Sequence, residues 1–179
     1  MVDLAELPYC MACGLAATRH RVVVGSGPSV PGLVVVGEAP GRSEDEGGEP
    51  FVGRSGQLLV RLIAEELGLT RSQYFVTNVV KCRPPQNRTP RASEVATCRP
   101  WLDAQLTQLN PGAILAVGNV AARAVFGFAE GVSRTHGRLG HYGGVPGVAT
   151  YHPAAALRGG PHVVTVMRAD LAVLRGLVA

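Results

Sequence analysis

Three polar side chains that can do chemistry, Glu38, Asn78 and His152, each lie at or near the end of a separate apolar run that can form a buried strand. The carboxyl ends of parallel strands meet at one edge of a sheet, and open α/β sheets bind their ligands there. A carboxylate can activate water, an amide can both donate and accept hydrogen bonds, and an imidazole can donate to developing negative charge. We therefore expect the three residues to share one site.

The segment after Glu38 is rich in glycine and proline as far as Gly53, and it contains Phe51 directly after Pro50. Glycines, beginning with Gly37, allow the backbone to turn tightly and to approach a ligand closely. By composition alone the segment fits an idle surface loop as well as a binding loop. Only the order of its residues can separate these two interpretations.

Four cysteines form a second group of candidate functional residues. Cys10 and Cys13 form a C-x-x-C pair, whereas fifteen residues separate Cys82 from Cys98. Disulfides are uncommon in a cytosolic chain, but four thiols can ligate zinc or an iron–sulfur cluster. The wide second spacing departs from the paired arrangement of a zinc ribbon. The pattern does not decide between the metals, and the C-x-x-C pair by itself could be redox-active or idle.

Length and composition favour a single soluble domain over residues 1–179, of which 46% are hydrophobic. No apolar run approaches the roughly 18 residues of a membrane span, and the N-terminus lacks a signal-peptide pattern, so we expect a cytoplasmic protein. The net charge is +4, and residues 81–93 and 131–169 contain no acid. These two segments could form one face for a phosphate backbone. Their basic residues are Lys81, Arg83, Arg88, Arg91, Arg134, Arg138, Arg158 and Arg168.

The elements that must position these residues alternate between strands and helices. Apolar runs predict four main strands and one small additional strand, and stop signals predict helices between them. The main strands are expected at residues 33–36, 74–80, 113–117 and 148–151, the small one at 21–24, and a hairpin could form around 137–139. Helices are expected from Ser55 to Gly68, from between Thr89 and Ser93, from Gly118 to Gly127, and from Pro161 onward.

Alternation of this kind predicts a parallel sheet with helices on both faces. One helix is difficult to place because it contains Pro100, which lacks the amide hydrogen that a helix interior requires. Either this helix bends at Pro100, or its regular part starts only near Arg99.

The order of residues in three segments resembles that of the iron–sulfur-containing family 4 uracil-DNA glycosylases. The first segment is Gly37-Glu38-Ala39-Pro40-Gly41, followed by Glu44-Asp45, Gly48 and Pro50-Phe51-Val52-Gly53. The second is Thr77-Asn78-Val79-Val80-Lys81-Cys82-Arg83-Pro84-Pro85 with Asn87-Arg88-Thr89-Pro90, and the third is Tyr151-His152-Pro153-Ala154-Ala155-Ala156-Leu157-Arg158. The resemblance covers nearly the whole chain, and these motifs are long and position-specific.

The resemblance implies a three-layer α/β/α sandwich, in which the predicted strands form a central, mostly parallel four-stranded sheet. The four cysteines match the family's cluster ligands in order and approximate spacing, which implies a [4Fe–4S] cluster near the N-terminus. The implied substrate is uracil-containing DNA, single- or double-stranded, bound by a monomer away from any membrane. Related cross-linking proteins carry a nucleophilic histidine in a basic loop after the second motif. The corresponding loop here has no histidine, so we expect no covalent adduct.

The implied roles match the chemistry of cutting a glycosidic bond to uracil, whose base must first leave the helix stack. Phe51 is the platform on which the base stacks, and Asn78 reads its N3 hydrogen and O4. His152 donates to uracil O2 as negative charge builds, and Glu38 activates the attacking water. The other implied substrate-binding residues are Gly37 and Ala39.

Further residues are assigned to catalysis and DNA binding by the same resemblance. Asp45 is a candidate second acid, although it stands in a run of three acids that we expect to include solvated groups. Leu157 could wedge into the gap left by the flipped base, and Arg158 and Arg88 could hold phosphates.

Other functions remain open on the residues alone. One is a non-catalytic iron–sulfur protein that binds nucleic acid, in which Glu38 is idle, and another is a zinc-bound α/β module. A glycosylase with a broader range of deaminated bases is a third. The single lysine, Lys81, does not resemble a nucleophilic amine buried against an acid, which favours water as nucleophile and a monofunctional enzyme.

Overall fold

A central sheet of five strands organises the fold of the computed structural model, which describes residues 2–178. The spatial order is β2-β1-β3-β5-β4, and β4 runs antiparallel to β5 while the other neighbours are parallel. The mostly parallel α/β sheet is confirmed, but the predicted count of four strands is wrong. The strands are β1 (Leu33–Gly37), β2 (Phe75–Asn78), β3 (Ala113–Val117), β4 (Leu139–Tyr142) and β5 (Val145–Thr150).

The additional strand, β4, has no apolar run that a sequence pattern could detect. It forms a hairpin with β5 whose turn is at Gly143 and Gly144 and not around the predicted residues 137–139, and as an edge strand it leaves Leu139 53% exposed. The small strand predicted at 21–24 does not form. Instead, the nearby Ser26 makes a single antiparallel bridge to Val76.

Helices cover both faces of the sheet. Along β1, Val34 and Val36 pack in a cluster with α3 and α4, whereas Leu33 and Val35 pack in a cluster with α2 and α7. This alternation gives the three-layer α/β/α sandwich. The α-helices of the described residues are α1 (Arg42–Gly47), α2 (Arg54–Leu67), α3 (Ala92–Leu109), α4 (Asn119–Phe126), α5 (Val132–Thr135), α6 (Pro153–Gly159) and α7 (Pro161–Arg175).

The helix that contains Pro100 starts at Ala92, so the alternative start near Arg99 is wrong. Pro100 and Ala96 both lie on the exposed side of α3, where the carbonyl that lacks its helical partner can face water. Of the helices within residues 2–178, none combines the length and the apolar character that crossing a membrane requires.

Strand register brings the ends of four strands to one edge of the sheet. Gly37 pairs with Asn78 at the ends of β1 and β2, and Val117 pairs with Thr150 at the ends of β3 and β5. The chain segments that leave these strands therefore surround a single depression at the carboxyl edge.

Candidate active site

An open cleft of about 710 Å³ lies at the carboxyl edge of the sheet. Segments from β1, β2, β3 and β5 supply its walls, as expected for the ligand site of a parallel sheet. The structure thus brings together most of the residues singled out from the sequence. Those that line the cleft are Glu38, Ala39, Phe51, Asn78, Arg88, His152 and Arg158.

Glycines make room for the aromatic side of the cleft. A Cβ on Gly37 would lie 2.5 Å from Asn78 Oδ1 and 2.6 Å from Phe51 Cζ, and a Cβ on Gly56 would lie 2.1 Å from the Phe51 carbonyl oxygen. Phe51 itself has a left-handed backbone with φ of 59°, which only its surroundings can impose on a bulky residue. Its ring centroid lies 6.4 Å from that of His152.

Asn78 is held firmly by its backbone, while its side chain is available. The residue is 2% exposed, and its carbonyl oxygen accepts a hydrogen bond from Lys81 Nζ at 2.6 Å. Within residues 2–178 the side-chain amide of Asn78 makes no hydrogen bond. A buried amide next to a cleft is therefore free to donate and to accept, which is what reading a base edge requires.

His152 is fixed in one orientation at the start of α6. Its Nδ1 accepts a hydrogen bond from the Ala154 amide at 3.2 Å, so in the neutral ring the proton lies on Nε2. Burial, with a smaller effect of the Arg158 cation, lowers the pKa of His152 below its usual range. The imidazole is thus kept neutral and can act as a hydrogen-bond donor through Nε2.

Glu38 makes no ion pair within the described residues, although it lines the cleft. Burial raises the pKa of its carboxyl above the usual range for glutamate. A carboxylate with a raised pKa and no cation to neutralise it is a stronger base than an ordinary surface glutamate.

Glu44 also lines the cleft, although it had no role assigned to it from the sequence. Its Oε2 accepts from the Gly41 amide at 3.1 Å, and its Oε1 accepts from the Gly53 amide at 2.8 Å. The carboxylate thereby ties together the two ends of the segment that carries Phe51. A glutamate three residues after a possible helix N-cap was the available sequence signal.

Asp45, the predicted second acid, is not among the cleft residues. Its fully buried carboxylate accepts hydrogen bonds from the His20 amide at 2.9 Å and the Arg21 amide at 3.3 Å, and it lies 2.8 Å from His20 Nδ1. The expected loop here is the short helix α1, which directs Asp45 toward the N-terminal segment. In this structure Asp45 joins segments rather than facing a ligand.

The residues predicted to bind DNA differ in their availability. Arg158 lines the cleft without an ion-pair partner in the described part of the chain, and Leu157 is 50% exposed outside the cleft lining. Arg88 lines the cleft but forms a two-pronged ion pair with Glu94 at 2.8 and 2.7 Å. Its cation is therefore already neutralised.

The two acid-free segments do not form one free basic face. Arg168 pairs with Glu65 and Glu66 on α2, and Arg138 lies 3.6 Å from Glu130. These arginines are thus paired with acids that lie outside the two segments. The arginines of the two segments that have no ion-pair partner in the described part of the chain are Arg83, Arg91, Arg134 and Arg158.

Two further cleft residues, Asn87 and Asn119, had no role assigned to them from the sequence. Asn87 has a left-handed backbone with φ of 54° and accepts a hydrogen bond from Arg83 Nε at 2.6 Å through Oδ1. Asn119 Oδ1 accepts from the Val132 amide at 2.6 Å and so holds α5 against the cleft. Gly118 and Asn119 follow β3 just as Glu38 follows β1, a position that could have marked them.

The four cysteines line one small pocket behind the cleft. Two N–H groups donate to sulfur: the Lys81 amide to Cys98 at 3.4 Å and Arg19 Nη1 to Cys82 at 3.5 Å. Across residues 2–178 no three His, Cys, Asp or Glu side chains are grouped closely enough to hold a metal ion. Four thiols from three segments, with N–H donors to sulfur, nevertheless have the chemistry of a thiolate ligand set.

Comparison with known proteins places the chain in a family. A profile of the Uracil DNA glycosylase superfamily matches residues 24–172. A protein named type-4 uracil-DNA glycosylase from Pyrobaculum aerophilum is 43% identical over 93% of this chain and 88% of its own. One of the same name from Thermotoga maritima is 43% identical over 83% and 78%, and a type-5 uracil-DNA glycosylase from Mycobacterium leprae is 35% identical over 75% and 68%. The chain belongs to the uracil-DNA glycosylase superfamily and, within it, to the type-4 family.

Proposed function

We propose that this protein is a uracil-DNA glycosylase, which hydrolyses the N-glycosidic bond of uracil in DNA and leaves an abasic site. The observation that carries the proposal is the convergence of Phe51, Asn78, His152 and Glu38 on one cleft at the carboxyl edge of the sheet. A base inside a duplex cannot reach such a cleft, so the nucleotide must first be flipped out of the stack.

Recognition of the flipped base uses the platform and the amide. The Phe51 ring offers a face for stacking, a contact worth about 1–3 kcal/mol per base. The Asn78 amide nitrogen donates to uracil O4, while its oxygen accepts from the N3 hydrogen. Cytosine presents the opposite donor and acceptor pattern at these two atoms, so the same amide orientation disfavours it.

Bond cleavage uses the histidine and the acid. As the bond breaks, its electron pair moves onto the base, and the neutral His152 donates from Nε2 to uracil O2, where negative charge accumulates. The sugar carbon becomes cationic, and Glu38 orients a water molecule toward it and accepts a proton from that water. The products are a uracil anion, which takes up a proton, and the abasic deoxyribose.

Water is the nucleophile in this proposal because the chain's single lysine is not available for a covalent step. Lys81 is 1% exposed, does not line the cleft, and uses Nζ to bond three protein oxygens. An amine in that position cannot attack the sugar, and the enzyme is monofunctional.

The four cysteines are proposed as the ligands of a [4Fe–4S] cluster. Cys10, Cys13, Cys82 and Cys98 come from the N-terminal segment, the residues after β2 and helix α3, and they line a common pocket. A bound cluster would supply a covalent cross-link among these segments rather than a reacting group. Iron analysis and the visible absorption of the purified protein separate this assignment from a zinc site.

The test is a uracil-release assay on an oligonucleotide that carries a single deoxyuridine. The purified protein should produce free uracil and an alkali-labile strand, and His152→Ala should slow the single-turnover rate by about tenfold or more with little change in DNA affinity. DNA binding without any release of uracil would reject the proposal in favour of a non-catalytic nucleic-acid-binding protein.

A further inference from the structure

Lys81 is buried in an environment that is unusual for a lysine. The residue is 1% exposed, and no carboxylate within residues 2–178 pairs with its side chain. Its Nζ lies 2.7 Å from Thr77 Oγ1, 2.6 Å from the Asn78 carbonyl oxygen and 2.6 Å from Gln105 Oε1. A lysine ammonium has three donors, and here each has a separate oxygen acceptor. Burial of such a group without an acid is costly, and its three hydrogen bonds offset part of that cost.

The three acceptors belong to two elements that meet under the cleft. Thr77 and Asn78 end β2, whereas Gln105 lies on α3. Both polar atoms of the Gln105 side chain are engaged, because its Oε1 also accepts from Thr77 Oγ1 at 3.0 Å and its Nε2 donates to the Val24 carbonyl at 2.7 Å. Lys81 therefore completes a closed network that ties the end of β2 to α3.

The backbone of Lys81 contacts the cysteine pocket. Its amide donates to Cys98 Sγ at 3.4 Å, and its carbonyl accepts from the Val23 amide at 2.8 Å. One residue thus bonds the peptide of Asn78 through its side chain and a cysteine of α3 through its backbone.

We propose that Lys81 is a positioning residue that fixes the peptide of Asn78 for base recognition and connects it mechanically to the cysteine pocket. The inference rests on the proposed function, because Asn78 selects uracil only if its amide is held in one orientation. One end of the side-chain amide only donates and the other only accepts, so a displacement of the Asn78 peptide misaligns both hydrogen bonds to the base at once. A site left loose by a missing supporting contact loses selectivity even when every contacting residue is present.

The test compares two substitutions at Lys81. Lys81→Met keeps a long unbranched side chain but removes all donors, whereas Lys81→Gln, one atom shorter, keeps two N–H donors for the three oxygens. Affinity is measured for otherwise identical strands carrying 2′-fluoro-2′-deoxyuridine or 2′-fluoro-2′-deoxycytidine, because the fluorine prevents cleavage and the readout does not depend on catalysis. Thermal unfolding and iron content are measured on the same samples.

We expect Lys81→Met to lower the uracil-to-cytosine affinity ratio by about tenfold, with Lys81→Gln intermediate, in line with the loss of hydrogen bonds to a buried carbonyl. Gln105→Met removes one acceptor of the network from α3, seven residues after Cys98, and should lower the same ratio. Leu174→Ala, in the core on the opposite face of the sheet, is the control that destabilises the fold while keeping the ratio.

Two results would overturn the proposal. One is an unchanged uracil-to-cytosine affinity ratio in either Lys81→Met or Gln105→Met. If Lys81→Met does not fold, Gln105→Met alone decides the question. The other is an equal fall in Leu174→Ala, which would make the effect one of general stability. A wild-type protein that fails to prefer the uracil analogue would instead contradict the proposed function itself.

Discussion

Gly37 pairs with Asn78 in the parallel register of β1 and β2, and the space between them leaves no room for a side chain. A Cβ at position 37 would lie 2.5 Å from Asn78 Oδ1 and 2.6 Å from the edge of the Phe51 ring. The glycine therefore sets the distance between the amide that reads the base and the ring on which the base stacks.

Gly37→Ala should accordingly reduce uracil release. The added methyl group displaces Asn78 or Phe51, and a displacement of about 1 Å in a positioned site can cost on the order of 10²-fold in rate. The measurement is the single-turnover rate at saturating protein. Gly47→Ala is the matched control, since a Cβ at Gly47 meets nothing within 4 Å. Equal rates for wild type and Gly37→Ala would show that the cleft wall does not contact the reacting nucleotide.

The sequence predicted β1 and β3 to within one residue because they are contiguous apolar runs, whereas the strand predicted at 74–80 ends at Asn78 and the one predicted at 148–151 begins at Val145. Leu33 to Val36 and Ala113 to Val117 are buried on both faces, so every residue carries the signal. The edge strand β4 has one buried residue, Gly140, and no such run. β4 forms because the turn at residues 143–144 brings it beside β5, and the local sequence pattern does not show this pairing.

The side-chain directions were harder to predict than the elements. Successive residues of an α-helix point about 100° apart, so the neighbours Glu44 and Asp45 point in different directions. Glu44 lines the cleft, whereas Asp45 contacts His20. A run of three acids does not reveal this rotation. The ion pair between Arg88 and Glu94 was equally hidden, because it depends on how the segment before α3 folds back on the helix.

Glu38→Gln should stabilise the protein at neutral pH while it removes activity. Burial raises the pKa of Glu38 above its unfolded value of about 4.3, so ionisation disfavours the folded state. The free energy of unfolding therefore falls as pH rises from the unfolded pKa through the folded one, and the glutamine variant escapes this loss. Thermal unfolding at pH 7 should show a higher Tm for Glu38→Gln than for wild type, and the difference should vanish below about pH 4.

The same titration predicts the acid side of the rate profile. Protonation of Glu38 removes the group that accepts a proton from water, so the single-turnover rate should fall as pH decreases through the raised pKa of this carboxyl. The Glu38→Gln variant should show a low rate that does not fall further as the pH decreases through this range. If the variant kept the same acid-side fall as wild type, that fall would belong to another titrating group.

Arg158→Ala should weaken DNA binding regardless of sequence. Arg158 lines the cleft without an ion-pair partner in the described residues, and each phosphate contact contributes about 0.9 to the slope of log affinity against log salt. The slope should therefore decrease by about one unit. Arg168→Ala is the control, because Arg168 is held by Glu65 and Glu66, and its slope should equal that of wild type. Equal slopes in both variants would place Arg158 away from phosphate.

Cys82→Ser and Cys98→Ser should each lower iron content and the yield of soluble protein together. Cys82 follows β2 and Cys98 lies on α3, so a shared cluster adds a covalent cross-link to segments that otherwise meet only through non-covalent contacts. Iron per protein, visible absorption and soluble yield are the measurements. Full iron content with normal folding in both variants would contradict the assignment of these two ligands.

Asn78→Asp should shift base preference from uracil toward cytosine. The amide nitrogen that donates to uracil O4 becomes a carboxylate oxygen, so a repulsion between two acceptors replaces a hydrogen bond inside a residue that is 2% exposed. An unpaired buried polar group costs about 1–3 kcal/mol, and more when it is charged, so uracil release should fall steeply. Cytosine carries an amino donor at the position of O4, from which the carboxylate can accept a hydrogen bond, and a protonated carboxyl can also donate to cytosine N3.

The measurement is the ratio of single-turnover rates on strands that differ only in carrying uracil or cytosine. Asn110→Asp, at the C-terminal end of α3, is the control and should keep the wild-type ratio. If Asn78→Asp also kept that ratio, the amide of Asn78 would have no part in reading the base.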